Sequence, residues 1–192
     1  MRARRVSGFS LTELVVAMAV AMVLMAVALP YFLRAYRFYQ LSNAATQMAD
    51  ILRLTRYEAI RLNKTVNCVI QPDATYPTMT DALMTDVRGI PLTGVASRMA
   101  VFGPSGTLVD SGKVTGALAL PAAASLGATA ISPPGGTVQF DARGAVTPAI
   151  VTVFYLNAPA SPESGFRAVL LMPAGSLQIW SGDSTGAWWQ MR

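Results

Sequence analysis

The sequence predicts an α+β protein in which one long N-terminal helix packs on a C-terminal antiparallel β-sheet domain. Residues 14–33 form an apolar run without a charged side chain, long enough for a helix of roughly 30 Å, about the thickness of a bilayer's hydrocarbon core. No glycine occurs between Gly8 and Gly89, and Pro30 is the only proline before Pro72. Beyond Gly89, glycine and proline become frequent and separate short segments typical of strands.

The composition argues against nucleic-acid binding and against several kinds of catalysis. The formal net charge is +5, but Arg2, Arg4 and Arg5 contribute three of these charges, and 5 − 3 leaves only +2 for the rest of the chain. The chain has one cysteine and no histidine. An intramolecular disulfide, Ser-His-Asp or Cys-His catalysis and histidine-ligated metals are therefore excluded. We expect a protein without enzymatic activity and without a cofactor.

The basic leader and the apolar run admit three interpretations. In each, the leader arginines favour the cytoplasmic side of a membrane for the N-terminus. The first interpretation is a plain signal anchor. The second is a secretory signal peptide cut after residues 26–28, which have the small-x-small form of such sites. In either case the presence of Glu13 needs an explanation, because inserting a carboxylate at the bilayer centre costs roughly 2.5–3.5 kcal/mol of free energy.

The third interpretation is a prepilin leader. Gly8 ends the basic segment, Phe9 follows it, and Ser-Leu-Thr-Glu then leads into the apolar run. This pattern resembles the N-termini of type IV pilins and type II secretion pseudopilins. The resemblance implies cleavage between Gly8 and Phe9 by a prepilin peptidase and methylation of the new Phe9 amine. It also implies that Glu13 is the family's glutamate and that Pro30 is the helix-kinking proline of many members.

Cleavage would create a partner for the Glu13 carboxylate. The new amine of Phe9 is cationic and lies at about the same membrane depth, where a charge pair is much stronger than in water. In a growing filament the expected partner is the amine of the neighbouring subunit, so that Glu13 sets the register of insertion. The alternative is that Glu13 lies at the membrane surface and reaches water.

The helix is predicted to continue from Phe9 to about Asn63, on the order of 80 Å. Pro30 lacks an N–H and predicts a kink or local melting rather than a helix end. Residues 31–39 combine aromatic rings with Arg34 and Arg37, a mixture typical of the membrane–water boundary.

From residue 41 onwards the predicted helix is amphipathic. Its apolar residues recur at three- and four-residue steps, which predicts that a sheet covers this stripe. On the other side, Asp50 with Arg53 and Glu58 with Arg61 are spaced for surface ion pairs.

The rest of the chain is predicted to be β-rich. Residues 65–71 alternate in polarity and place Cys68 in the core as a small apolar residue. Residues 72–98 are expected to form a long loop or a partly ordered excursion, and residues 117–130 either a loop or a short helix. Turns are expected at 103–106, 141–144 and 173–175, and further strands at 99–102, 107–109, 136–140, 149–156, 167–172, 176–180 and 187–190.

Residues 57–63, read together with the strand that follows, resemble the helix end and first strand of the GspH/FimT family of minor pilins and pseudopilins. In DNA-uptake members of that family, a Gly-Arg-x-Arg run in the C-terminal hairpin contacts DNA through its arginines. The corresponding residues here are Gly175-Ser176-Leu177-Gln178, and both arginines are missing. We therefore expect no DNA binding at this hairpin.

Two other groups of residues have simple explanations. Asp73, Asp81 and Asp86 lie in the expected loop, and although some pseudopilins bind calcium, the spacing fits no EF-hand. We expect solvated loop acids and no metal. The tryptophans are able to stack on bases, but without neighbouring basic residues we expect core or subunit-interface packing; they are Trp180, Trp188 and Trp189.

The residues and the resemblance together predict a minor pseudopilin of a type II secretion system. It would have a leader at 1–8, a long helix at 9–64 that spans the bacterial inner membrane at about 9–33, and a periplasmic domain at 65–192. Expected partners are other pseudopilins or pilins, prepilin peptidase, the inner-membrane assembly platform and, before assembly, membrane lipid. One alternative is a FimT- or FimU-like minor type IV pilin in pilus assembly or DNA uptake. Another is a membrane-anchored periplasmic binding module that never polymerises.

Overall fold

The computed structural model describes residues 10–72, 80–92, 98–102, 107–108, 114, 119–131, 136–158 and 162–191. The chain divides into two compact units, Met1–Tyr36 and Arg37–Arg192. The helices are α1 (Leu11–Leu62) and α2 (Pro121–Ser125), and a 3-10 turn covers Pro162–Ser164. The strands are β1 (Val66–Pro72), β2 (Thr80–Thr85), β3 (Arg98–Phe102), β4 (Thr107–Leu108), β5 (Thr129–Ile131), β6 (Gly136–Phe140), β7 (Val146–Thr147), β8 (Thr152–Asn157), β9 (Phe166–Leu171), β10 (Leu177–Gly182) and β11 (Trp188–Met191). This arrangement confirms the predicted α+β class.

Helix α1 is assigned without a break through Pro30, which confirms that this proline does not end it. The helix stops where Asn63 adopts a positive φ of 49°. Asparagine tolerates this left-handed conformation better than most residues, so it is a suitable helix terminator. The N–H of Lys64 then donates to the carbonyl of Ala59 at 3.1 Å and closes the last turn. The predicted end at about Asn63 is confirmed.

The first sheet has the strand order β3-β2-β1-β6-β7, and every neighbouring pair is antiparallel. Strand β1 lies at its centre between β2 and β6. Val66, Cys68 and Ile70 are buried on one face, as their alternation predicts.

The prediction of a loop over residues 72–98 is wrong for residues 80–85, which form β2. This strand pairs with all but the first residue of β1, and a tight turn follows it at Asp86 to Ile90. The carboxylate of Asp86 accepts hydrogen bonds from the backbone N–H groups of Arg88 (2.8 Å) and Ile90 (2.9 Å). The signal for this turn is present in the sequence, because Asp-x-x-Gly at 86–89 repeats the pattern at 141–144.

The same Asp-x-x-Gly turn joins β6 to β7 and β10 to β11. Asp141 and Asp183 each accept backbone N–H bonds from the residues two and four positions later, at 2.8–2.9 Å. The glycine of each turn has a positive φ of 79–94°, which other residues rarely adopt. Hydrogen bonds from Thr185 and Ala187 lower the pKa of the Asp183 carboxyl. The turn predicted at 141–144 is confirmed.

The second sheet has the order β11-β10-β9-β8-β4, with β5 also paired to β8. The pairing of β5 with β8 is parallel, so the expectation of a purely antiparallel domain needs this one correction. Residues 117–130, expected as a loop or a short helix, contain α2 and the start of β5. Strands β5 and β7 were not predicted, because segments of two or three residues carry too little periodicity to be recognised.

Two clusters of apolar side chains form the core of the unit that begins at Arg37. The larger cluster lies between α1 and both sheets and contains the stripe predicted from residue 41 onwards. The smaller cluster covers the opposite face of the second sheet and includes Leu120 and Ala123 around α2. Residues of α1 therefore form one wall of the β-domain's main core.

The two sheets meet each other and the helix at a pair of hairpin turns. The N–H of Val146 donates to the carbonyl of Pro173 at 2.8 Å, which links the first sheet to the second. Arg56 of α1 reaches the same place, and its Nη1 donates to the carbonyl of Gly175 at 3.2 Å. Gly144 and Gly175 are buried there beneath the Arg56 side chain. The close packing at this junction requires glycine at both positions, because a Cβ on either residue would lie within 3.0 Å of the Arg56 side chain.

Candidate processing and assembly segment

The predicted processing site, Gly8 and Phe9, lies outside the described residues. The described chain starts at Ser10, whose hydroxyl is 2.8 Å from that of Thr12. The carbonyl of Ser10 accepts the N–H of Leu14 at 3.1 Å, so the helical pattern begins one residue after Phe9. The roles of Gly8 in cleavage and of Phe9 in cleavage and methylation remain predictions.

Glu13 lies in the first turn of α1 and is exposed. A helix N-terminus carries a partial positive charge, which stabilises a carboxylate at this position. Within the part of the chain that the structure describes, Glu13 forms no ion pair. The carboxylate is therefore placed on the helix surface and is available to a group from another molecule or from the undescribed N-terminus.

The apolar run that follows Glu13 exposes its side chains along its length. Leu14, Met22 and Phe32 are examples, with 52%, 71% and 67% of their surfaces exposed. This is the one helix among the described residues that is long and apolar enough to cross a membrane. Large apolar side chains left exposed in this way need a covering phase, which lipid or neighbouring subunits would provide.

The second half of α1 is attached to the second sheet through Arg167 of β9. This arginine is fully buried, and its guanidinium carbon lies 4.3 Å from the centroid of the Phe38 ring. Its Nε and Nη2 donate to the hydroxyl of Ser42, each at 3.2 Å, and Nη1 donates to the carbonyl of Phe166 at 2.8 Å. Burial lowers the pKa of Arg167 to about 10, so the side chain is still cationic at neutral pH. The sequence predicts that Arg167 lies in a strand, but no local pattern indicates its role.

The two ion pairs predicted on α1 are present, but only one lies on the surface. Arg53 donates to Asp50 at 2.9 Å, and both side chains are more than half exposed. Arg61 contacts Glu58 at 2.8 Å, but the Glu58 side chain is only 7% exposed, so the prediction of a surface pair is wrong for Glu58. Glu58 neighbours the buried Ala59 at the edge of the stripe, and Arg61 covers its carboxylate.

Cys68 is a core residue, as predicted. It is fully buried, and desolvation raises the pKa of its thiol to about 12. Because the thiolate is the nucleophilic form, this side chain stays protonated and unreactive at neutral pH.

Of the three acids considered for calcium, the structure describes the side chain of Asp86 alone. The Asp86 carboxylate is occupied by the turn that it caps. Asp73 lies outside the described residues, and the side chain of Asp81 is not described. The described residues contain no group of three or more metal-ligating side chains.

The C-terminal hairpin places its tryptophans on two faces of the second sheet. Trp180 and Trp188 pack against the smaller core cluster, and the rings of Trp188 and Tyr155 are 6.1 Å apart. These two confirm the expectation of core packing. Trp189 lies on the other face and remains 47% exposed. Gly175 lies in the turn between β9 and β10, so Gly175-Ser176-Leu177-Gln178 spans this turn and the start of β10.

Comparisons with known proteins match both parts of the chain. The family model described as the prokaryotic N-terminal methylation motif matches residues 3–29, and the model described as type II transport protein GspH matches residues 44–175. The search of curated proteins found no match. Two crystal structures of the type IV minor pilin FimU from Pseudomonas aeruginosa are similar at 15% identity. The first FimU structure has a TM-score of 0.47, and the similarity covers 73% of this chain and 88% of the FimU chain. The second has a TM-score of 0.43, and the similarity covers 72% of this chain and 91% of the FimU chain.

Proposed function

Because the chain belongs to the GspH family of type II transport proteins, we propose that it is a minor pseudopilin of a type II secretion system. Prepilin peptidase removes residues 1–8 at the cytoplasmic face, and the Phe9 amine is methylated. The subunit spans the bacterial inner membrane once at about 9–33 and carries its domain of residues 65–192 in the periplasm. The assembly platform then transfers it from lipid into a filament with other pseudopilins.

The observation that carries this proposal is the placement of one acid, Glu13, in the first turn of an exposed apolar helix. The N-terminal methylation motif covers this turn and ends at residue 29. The same helix continues to Leu62 and forms a wall of the β-domain's core. Such a subunit carries its membrane anchor and its filament-packing surface on one continuous element, with the β-domain attached. Pro30 is the proposed point where this element bends.

The family is one of structural subunits, and a structural role accounts for the residues described here. Arg167 and Arg56 hold α1 on the sheets, and the capping aspartates shape turns. In this role the subunit acts on no substrate, and the molecules that it recognises are its filament partners.

Mass spectrometry of the membrane-extracted protein tests the processing step. We expect an N-terminus at Phe9 with one methyl group, because the leader ends at Gly8 and the amine is then exposed to the methylating enzyme. A Gly8→Ala variant with the rest of the chain unchanged is the control, and we expect it to retain residues 1–8. An N-terminus at Leu29 would instead identify a secretory signal peptide and overturn the proposal.

Deletion of the gene tests whether the processed subunit belongs to a secretion pseudopilus or to a type IV pilus. We expect loss of protein secretion to the culture medium and its restoration by the intact chain, with pilus-dependent motility unchanged. Loss of motility or of DNA uptake with normal secretion would identify a minor type IV pilin. Normal secretion and normal motility, with the protein still in the membrane, would favour a binding module that never polymerises.

A further inference from the structure

Three exposed aromatic rings lie at the end of the β-domain where α1 enters it. Phe38 and Tyr39 come from α1 and are 40% and 71% exposed, and Trp189 comes from β11 and is 47% exposed. We call these three rings the domain base. Beside them, Arg37 and Glu163 lie 3.6 Å apart, so these two side chains neutralise each other.

Strand register places Trp189 in the same row as the buried arginine that contacts Phe38. Arg167 of β9 pairs with Ser181 of β10, and Ser181 pairs with Trp189 of β11. Directly paired residues in an antiparallel sheet point to the same face, so Trp189 lies on the helix side of the sheet. Two strand spacings separate it from Arg167, roughly 10 Å. Trp189 therefore belongs to the domain base although 150 residues separate it from Tyr39 in the chain.

The domain base lies close to the membrane-spanning segment along the chain. Tyr39 follows Leu33, the last residue of the apolar run, by only six residues of the chain. A bilayer's headgroup layer is several ångströms deep on each side of the hydrocarbon core. The base is thus within reach of the headgroups at the point where the chain leaves the bilayer.

We propose that, before assembly, the domain base rests in the headgroup layer of the bilayer, with Trp189 and Tyr39 as its lipid contacts. Tryptophan and tyrosine combine an apolar ring with one hydrogen-bonding group, and both are enriched at the membrane–water boundary for this reason. The neutralised pair of Arg37 and Glu163 fits a lipid surface of either net charge. The inference rests on the membrane residence in the proposed function and adds a second, non-helical contact with lipid.

This contact has a consequence for assembly. A domain that touches lipid through Trp189 must leave that surface when the subunit enters the filament. The domain base would then be released from lipid and become available to a neighbouring subunit. Lipid therefore holds the unassembled domain in one orientation, with the domain base towards the membrane.

Tryptophan fluorescence in vesicles tests the proposal with the full-length chain. The protein is reconstituted in phosphatidylcholine vesicles that contain lipid with a nitroxide at the headgroup, or in vesicles with the nitroxide deep in the acyl chain. The chain has three tryptophans, so the headgroup nitroxide should quench roughly a third of the emission. The deep nitroxide should quench much less. Trp189→Phe should abolish the headgroup quenching, and Trp180→Phe, on the opposite face of the sheet, should preserve it.

Flotation of the vesicles separates the failure of this inference from the failure of the proposed function. Protein that floats with the vesicles but shows no headgroup quenching of Trp189, while soluble acrylamide does quench it, overturns the lipid contact. The domain base would then be a surface for a protein partner only. Protein that does not float with the vesicles overturns the membrane residence and the lipid contact together. Circular dichroism of each variant confirms that the domain remains folded.

Discussion

A Glu13→Ala variant is expected to lose its leader and fold its β-domain normally, yet fail to enter the filament. The proposed partner of Glu13 is the Phe9 amine of a neighbouring subunit. Removing one partner of a buried charge pair costs about 3–5 kcal/mol. Since about 1.4 kcal/mol corresponds to a factor of ten, incorporation should fall at least about a hundredfold. The measurement is the fraction of processed subunit recovered in sheared filaments.

The position of Glu13 explains why the defect should be confined to assembly. Glu13 is exposed on the first turn of α1 and has no ion pair with a described residue, so the β-domain does not depend on it. Its removal also leaves the membrane segment without a charged side chain, which stabilises the subunit in lipid. Both effects shift the equilibrium from the filament towards the membrane.

Two further variants at Glu13 separate charge from size. Glu13→Gln keeps nearly the same volume without the charge, and we expect it to fail like alanine. Glu13→Asp keeps the charge on a shorter side chain and should restore part of the incorporation. Wild-type incorporation of the alanine or glutamine variant would eliminate the pairing role and favour a carboxylate that only reaches water.

A Gly175→Ala variant is expected to lose about 3–4 kcal/mol of unfolding free energy, whereas Gly89→Ala should lose only about 1 kcal/mol. The two glycines have nearly the same φ, 78° and 80°, so the strain of a left-handed alanine is common to both, about 1–2 kcal/mol. Their surroundings differ. A Cβ at Gly89 meets nothing within 4 Å, but at Gly175 it would collide with the Gly144 carbonyl and lie 2.8 Å from Arg56 Nε. Overpacking of this kind adds about 1–3 kcal/mol.

Thermal unfolding of the full chain in detergent micelles measures this difference. For a domain of this size, about 3 kcal/mol lowers Tm by roughly 10 °C and about 1 kcal/mol by roughly 3 °C. Gly89→Ala is the matched control, because it carries the cost of a left-handed alanine without the contact with Gly144 and Arg56. Equal shifts for the two variants would show that the junction of helix and sheets relaxes without cost.

The fold was predictable wherever its signal is local. The extent of α1, the buried stripe after residue 41 and the alternation of Val66, Cys68 and Ile70 all follow from short-range periodicity. The proline and glycine content of residues 72–98 hides strand β2, although Asp86 and Gly89 signal the turn that follows it. The Asp-x-x-Gly pattern was the better guide, since the aspartate side chain itself bonds the turn's backbone.

Local sequence patterns predict the leader and identify the apolar run, the position of Glu13 and the class of the fold, because each depends on residues close together in the chain. The residues that lie beside the start of the β-domain are visible only in the tertiary structure. Arg167 contacts Ser42 across 125 residues, and Trp189 joins the same row through two strand pairings. Such contacts depend on strand order and register. Those are set by how two sheets share one core, and no local pattern encodes them.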